Sequence, residues 1–208
     1  MRQLLKSKKA NEKYRISPTT YRWTYRLMKA LFKVFKLTLR SHGHKTAWND
    51  GQIFLFNHFA RFEALIPQYL IYQKTGLFSR SIASKELFDD NLLTRYLIKL
   101  GGIPNDADEL MYQVSKDILH NHKLVAFPEG GIVKDRRSVD KSGRYRIYSR
   151  SHDERRKLHT GPAVIALAIA IFKSAVRGID KSGEHNSLTL WADELGFKDK
   201  QALIDVCM

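Results

Sequence analysis

The sequence predicts an α/β fold, a layered sandwich with a largely parallel central sheet flanked by helices and preceded by an amphipathic N-terminal helical segment. Three observations carry the prediction. Short apolar runs of strand length, Ile53-Phe54-Leu55-Phe56 and Leu124-Val125-Ala126-Phe127, recur along the chain. Longer segments with helical spacing of apolar residues lie between and around them. Both runs close in compact polar clusters, Asn57-His58 and Pro128-Glu129-Gly130-Gly131.

The elements follow in order. From Thr19 to Leu39, Arg22, Arg26, Lys29, Lys33 and Lys36 are spaced by fours and threes among Trp23, Leu27, Leu31, Val34 and Phe35, which puts the cations on one face of a basic amphipathic helix. Such a helix either lies in the headgroup layer of an anionic membrane or packs on its own domain. After the first strand, Ala64 to Tyr72 predicts a helix with Pro67 in its first turn and Gly76 as its stop. Arg80-Ser81-Ile82-Ala83 predicts a second strand. Asp89-Asp90 then caps a helix through Leu100, which Gly101-Gly102 stops. Asp106 and Glu109 have capping-box spacing ahead of a helix running to about His120. The stretch from Lys134 to Lys157, crowded with arginine and serine, reads as an exposed loop or hairpin. A further helix runs from Gly161 to about Ile179, and short amphipathic segments close the chain.

The 208 residues, 43% of them hydrophobic, suffice for one good core. The organisation expected is a basic helical membrane-association segment over 1–45 and a core over 46–208. Lysine and arginine outnumber acids 36 to 21, so the surface calls for an anionic partner: lipid, a phosphorylated substrate or nucleic acid. The single cysteine, Cys207, rules out an intrachain disulfide. No secretory signal pattern follows the basic N-terminus. The most continuous apolar run, Ala163 to Phe172, is about half the roughly 20 residues that cross a bilayer; it predicts a core helix and leaves membrane contact peripheral. The pairs His42/His44 and His120/His122 lack cysteine or carboxylate company, so no metal is expected, nor any other cofactor.

Ligands in open α/β sheets bind beyond the carboxyl ends of the strands. If the two apolar strands share a parallel sheet, their polar clusters open on one edge and bring a histidine and a carboxylate to one crevice. His58 and Glu63 are about 140° apart on a continuous helix, so they meet only across a turn. There the carboxylate orients the imidazole and leaves its other nitrogen free as a base.

Asn57-His58-Phe59-Ala60-Arg61-Phe62-Glu63 resembles the N-H-x4-D motif of the glycerolipid acyltransferase superfamily, with Glu in place of Asp. Phe127-Pro128-Glu129-Gly130 resembles its F-P-E-G motif, and Ala83-Ser84-Lys85-Glu86-Leu87 its K-x-E-L-like segment. The resemblance spans roughly Gly51 to Ala170. It implies that His58 is the general base, that Glu63 holds it, and that Asn57, Arg61, Lys85, Phe127, Pro128, Glu129, Gly130 and Gly131 shape the substrate pocket. The implied partners are an acyl-CoA or acyl carrier protein thioester, lysophosphatidic acid or glycerol 3-phosphate, and the cytoplasmic face of an anionic membrane, with no nucleic acid.

The sequence departs from that pattern in two places. Pro104-Asn105-Asp106-Ala107 stands where an arginine is usual, and Gly131-Ile132-Val133 where T-R-S is common. Lys134, Arg136 and Arg137 are the nearest replacement cations. No V-P-V-type strand follows the later helix, so the core reads as truncated. The competing expectations are a catalytically impaired membrane-binding homologue, a thioesterase and a basic nucleic-acid module.

Overall fold

A computed structural model describes residues 13–41, 46–57, 65–89, 91–129, 147–148, 155–156 and 159–208. Helix α1 spans Pro18–Val34 and the short α2 spans Thr46–Asp50. Strand β1, Ile53–Leu55, is followed by α3, Ile66–Thr75, and β2, Ser79–Ala83. Helix α4, Leu92–Lys99, leads to β3, Gly102–Pro104; α5, Leu110–Leu119, leads to β4, Lys123–Ala126. Two-residue strands β5, Ile147–Tyr148, and β6, Arg155–Arg156, pair antiparallel. Helices α6, Gly161–Ser182, α7, His185–Leu195, and α8, Lys200–Cys207, complete the chain.

Strands β1 to β4 form one parallel sheet in the order β1-β4-β2-β3. The mixed α/β class with a parallel sheet is therefore as the sequence predicts. Neighbouring residues of β2 show its two covered faces. Ser79 Oγ lies 2.9 Å from Tyr21 Oη of α1, while Arg80 turns the other way to Asp117 of α5. On the Arg80 face, Ile103 and Leu124 pack with Val114 and Ile118 of α5 and with Ile165 and Ile169 of α6. On the Ser79 face, α1 and α3 form an aromatic layer in which Tyr21 meets Phe78 at 5.0 Å and Phe32 meets Tyr69 at 5.0 Å. Phe78 precedes β2 and Tyr69 sits early in α3, so α1 climbs from the amino edge of the sheet toward its carboxyl edge.

Local chemistry explains the boundaries. Ser17 caps α1, its Oγ accepting from the Thr20 amide at 3.3 Å. Pro67 sits in the first turn of α3, where its missing N–H costs nothing, and Gly76 ends that helix at φ 70°. Three expectations are corrected. Asn91, not Asp89-Asp90, caps α4, accepting from the Thr94 amide at 2.9 Å. No capping box forms at α5, because Glu109 takes a left-handed φ of 58° and makes no side-chain cap bond. The run after Gly161 is a core helix on one side only. It belongs to a 22-residue helix that buries only Ile165, Ile169 and Val176. Among the described residues, α6 is the one helix long and apolar enough to cross a membrane.

Candidate functional site

The site is built on the last rungs of the sheet. Leu55 pairs with Ala126 in the β1–β4 register, and the Phe56 amide donates to the Ala126 carbonyl at 3.0 Å. The two segments that close in polar clusters are therefore neighbours and parallel, so both clusters leave from the same edge. Asn57 is exposed there, and Phe127, Pro128 and Glu129 are half-buried beside it. The Phe56 and Phe127 rings lie 6.4 Å apart, centroid to centroid, under this edge.

The other two strands bring their own polar ends to the same side. Lys85 opens a short 3₁₀ turn just after β2. Its amide donates to Asn105 Oδ1 at 3.2 Å, and its ammonium sits 3.9 Å from Asp106 Oδ2 in an exposed pair. The Asn105 amide in turn donates to the Ala83 carbonyl at 2.9 Å, tying the ends of β2 and β3 together. The His159 amide donates to the Pro128 carbonyl at 2.7 Å, so the chain returns to the Pro128 turn before α6 begins. Helices α3, α4, α5 and α6 all follow chain that leaves this edge. Their N-terminal, partially positive ends therefore gather around it.

Of the residues singled out in the sequence, Asn57, Lys85, Phe127, Pro128 and Glu129 converge on this edge. His58, Arg61, Glu63, Gly130, Gly131, Lys134, Arg136 and Arg137 lie outside the described residues. Asn105 and Asp106, which the sequence marks only as a departure from the family pattern and, for Asp106, as a capping residue, join them here. They follow β3, a three-residue strand whose Gly102-Ile103-Pro104 reads in sequence as a helix stop and the start of a glycine-containing block, not as a strand. Its signal was the single buried Ile103 between glycine and proline, too short for periodicity to register. Glu109 also stands near this edge, and its buried Oε2 has no hydrogen-bond partner among the described residues.

The charges on this part of the edge are mixed, with Lys85 facing Asp106 and Glu129 nearby. Buried ionic groups sit elsewhere. Arg80, 2% exposed, donates from Nε to Asp117 Oδ2 at 2.6 Å and from Nη1 to the Tyr14 carbonyl at 2.7 Å. Lys123, at the amino edge, donates to the Asn49 carbonyl at 2.6 Å, and burial pushes its pKa below the ordinary value against the pull of Asp50. A groove of about 430 Å³ between α5, α6 and α7, lined by Met111, Phe172 and Trp191, includes none of the strand-end residues. No group of three or more metal-ligating side chains occurs among the described residues.

The arrangement gathers the polar ends of all four strands at the carboxyl edge of a parallel sheet, the edge beyond which ligands usually bind in open α/β folds. No protein-family model, curated protein or solved structure matches the chain.

Proposed function

We propose that this protein is an O-acyltransferase that moves a fatty acyl group from a thioester carrier, acyl-CoA or acyl carrier protein, to the hydroxyl of a glycerol-phosphate lipid, with 1-acylglycerol 3-phosphate as the preferred acceptor. One observation supports the reading above the others. The strands that lead into the N-H-x4-E and F-P-E-G segments are adjacent and parallel, so the two motifs leave the sheet side by side although about seventy residues separate them.

In the reaction, His58 takes the proton of the acceptor hydroxyl as that oxygen attacks the thioester carbonyl. Glu63 holds the imidazole in the required tautomer and favours the imidazolium that forms. Collapse of the tetrahedral intermediate breaks the C–S bond, and the imidazolium returns its proton to the departing thiolate. The acceptor oxygen is itself the nucleophile, so no acyl-enzyme is needed. Backbone N–H groups at Glu129-Gly130 and the helix N-termini receive the phosphate, with Lys85 beside them and Lys134, Arg136 and Arg137 as further cations.

The substrates are lipids, and α1 suits that setting. Tyr21 and Thr24 bury one face of the helix, while Trp23 (66% exposed) and Val34 (73%) project outward on a helix that carries Arg22, Arg26, Lys29 and Lys33. These features support a peripheral position on the cytoplasmic face of an anionic membrane.

A second reading, a membrane-binding homologue with impaired catalysis, is favoured by one feature. Asp106 stands where an arginine is usual and offsets Lys85 at 3.9 Å. The deciding experiment incubates wild type and His58→Ala with labelled acyl thioester and either lysophosphatidic acid or glycerol 3-phosphate. Esterified lipid from wild type alone supports transfer. Free fatty acid points to hydrolysis, and no turnover points to the second reading.

A further inference from the structure

We propose that α4 shares with α1 one docking face for an anionic bilayer, on which lipid chains enter the groove between the two helices and lipid phosphates meet their cations. The inference rests on the peripheral position proposed for α1 and adds to it a second helix, α4, whose outer side that position leaves unexplained.

The two helices are bound to each other as an antiparallel pair. The Ser17 amide, at the start of α1, donates to the carbonyl of Lys99, at the end of α4, at 2.9 Å. About two turns further along α1, the Thr24 hydroxyl lies 2.8 Å from the Tyr96 hydroxyl. The inner side of each helix is accounted for, since Tyr21 and Thr24 of α1 and Thr94 of α4 are buried. The outer side is bare. By the helical step of about 100° per residue, Trp23, Leu27 and Val34 lie opposite Tyr21, and Leu92 lies opposite Thr94. Leu92 is 83% exposed and its neighbour Leu93 55%. A groove of about 610 Å³ follows the seam, with Thr20, Trp23, Arg26, Leu27 and Tyr96 in its walls. An apolar surface of this extent in water calls for a cover.

Charge on the same two helices says what the cover is. They carry Arg22, Arg26, Lys29, Lys33, Arg95 and Lys99 and no acid. All six cations are exposed, and none of them makes an ion pair among the described residues. Arg22, Arg26, Lys29 and Lys33 fall within about 60° of one another, directly beside the stripe of Trp23, Leu27 and Val34. The acids closest to α4 in sequence, Glu86, Asp89 and Asp90, come before its first residue and leave the length of the helix free of negative charge. An apolar stripe bordered by cations matches an anionic bilayer, where acyl chains receive the apolar side chains and phosphates receive the cations. A second copy of this face would set the cations against themselves. Residues 1–12, with four cations against one acid, would be repelled in the same way.

The position of this face bears on the candidate site. Helix α4 starts shortly after the carboxyl end of β2, and α1 runs toward the same edge. A bilayer lying along the pair therefore borders the strand ends from one side, where a lipid acceptor can reach them without crossing water.

The test uses the full chain with Cys207→Ala and an environment-sensitive fluorophore at Leu93→Cys or, as a control, at Leu190→Cys, an exposed leucine of α7. Vesicles of equimolar phosphatidylglycerol and phosphatidylcholine should shift the Leu93 probe to the blue and leave the Leu190 probe unchanged, while phosphatidylcholine alone should shift neither. Arg95→Gln combined with Lys99→Gln should keep the circular dichroism spectrum and bind the anionic vesicles roughly thirtyfold more weakly, the scale of two cations withdrawn from an anionic leaflet. Arg22→Gln combined with Arg26→Gln, on α1, should weaken binding to a similar degree. Loss of binding with the α1 pair but not with the α4 pair overturns this inference and leaves the position proposed for α1 standing, whereas loss with neither pair overturns both. An equal blue shift at Leu190, or a Leu93 shift that grows with protein concentration in the absence of lipid, also overturns it. Vesicle binding is read without turnover, so an inactive protein counts against the transferase reading alone.

Discussion

The Phe56 amide donates to the Ala126 carbonyl at 3.0 Å, and this last rung of the β1–β4 ladder sets two segments distant in sequence at one edge of the sheet. If His58 and Glu129 serve one reaction there, their losses do not multiply. His58→Ala and Glu129→Ala are each expected to lower kcat/KM by about 10²-fold or more, and the double variant to fall well short of the product. Steady-state kinetics on the three variants measures the coupling.

On the proposed function, Asp106 and the acceptor phosphate compete for the Lys85 ammonium. Lys85→Ala is expected to raise the acceptor KM by about tenfold with little change in kcat, as loss of a charged hydrogen bond does. Asp106→Asn frees the ammonium and lowers KM by a few-fold at most, because the pair is exposed and worth about 0–1 kcal/mol. Raising the salt concentration should shrink both effects.

The buried Arg80–Asp117 pair predicts an acid limb in stability. Burial raises the Asp117 pKa, but the His122 ring, 3.4 Å away, and the Arg80 guanidinium outweigh it and hold the carboxyl below its ordinary 3.8. A depressed folded pKa means stability that is present above about pH 4 and lost as pH falls through the folded value. Asp117→Asn strands the guanidinium, costs about 3–5 kcal/mol, and flattens that acid limb in denaturant titrations at graded pH.

Tyr21 predicts the opposite limb. Burial raises its pKa from 10.0 to about 12 against the lowering effect of Ser79. The folded state keeps the phenol protonated where the unfolded chain releases the proton. This stability is complete below about pH 10 and declines as the pH rises toward 12. Tyr21→Phe is expected to cost about 1 kcal/mol at neutral pH, for lost hydrogen bonds to Ser79 and the Gln68 carbonyl, and to remove the alkaline slope. Alkaline unfolding followed by circular dichroism checks both.

Two glycines should respond with opposite signs. A Cβ on Gly101, at φ +97°, would stand 2.4 Å from the Ser79 carbonyl oxygen, so Gly101→Ala is expected to cost about 2–3 kcal/mol and disturb the β2–β3 edge. Gly178, inside α6, has nothing within 4 Å of the added methyl, and Gly178→Ala should stabilise by about 0.5–1 kcal/mol. Thermal melts compare the two.

Much of the architecture was legible because its signals are local. Ile53-Phe54-Leu55 and Leu124-Val125-Ala126 are continuous apolar runs of strand length, the second buried on both faces, and Gly76 and Pro67 mark a helix by backbone chemistry that needs no partner. The candidate site was legible as far as Asn57, Lys85 and Pro128-Glu129, since polar residues directly after apolar strands lie at strand ends whatever the topology. Strand β3 escaped because three residues carry no period. The capping box at Asp106 and Glu109 failed because the turn after β3 drives Glu109 into a left-handed conformation that spacing does not reveal.

What the amino-acid sequence determined alone was the longer helices, strands β1, β2 and β4, the parallel α/β class and the residue types at the strand ends, because hydrophobic period and turn chemistry act over a few residues. Tertiary structure alone decided that β1 lies beside β4 rather than beside β2, and which side of α6 is covered. Strand order and burial depend on contacts between residues far apart in the chain. The same apolar run reads identically whether a protein core or an open surface stands against it.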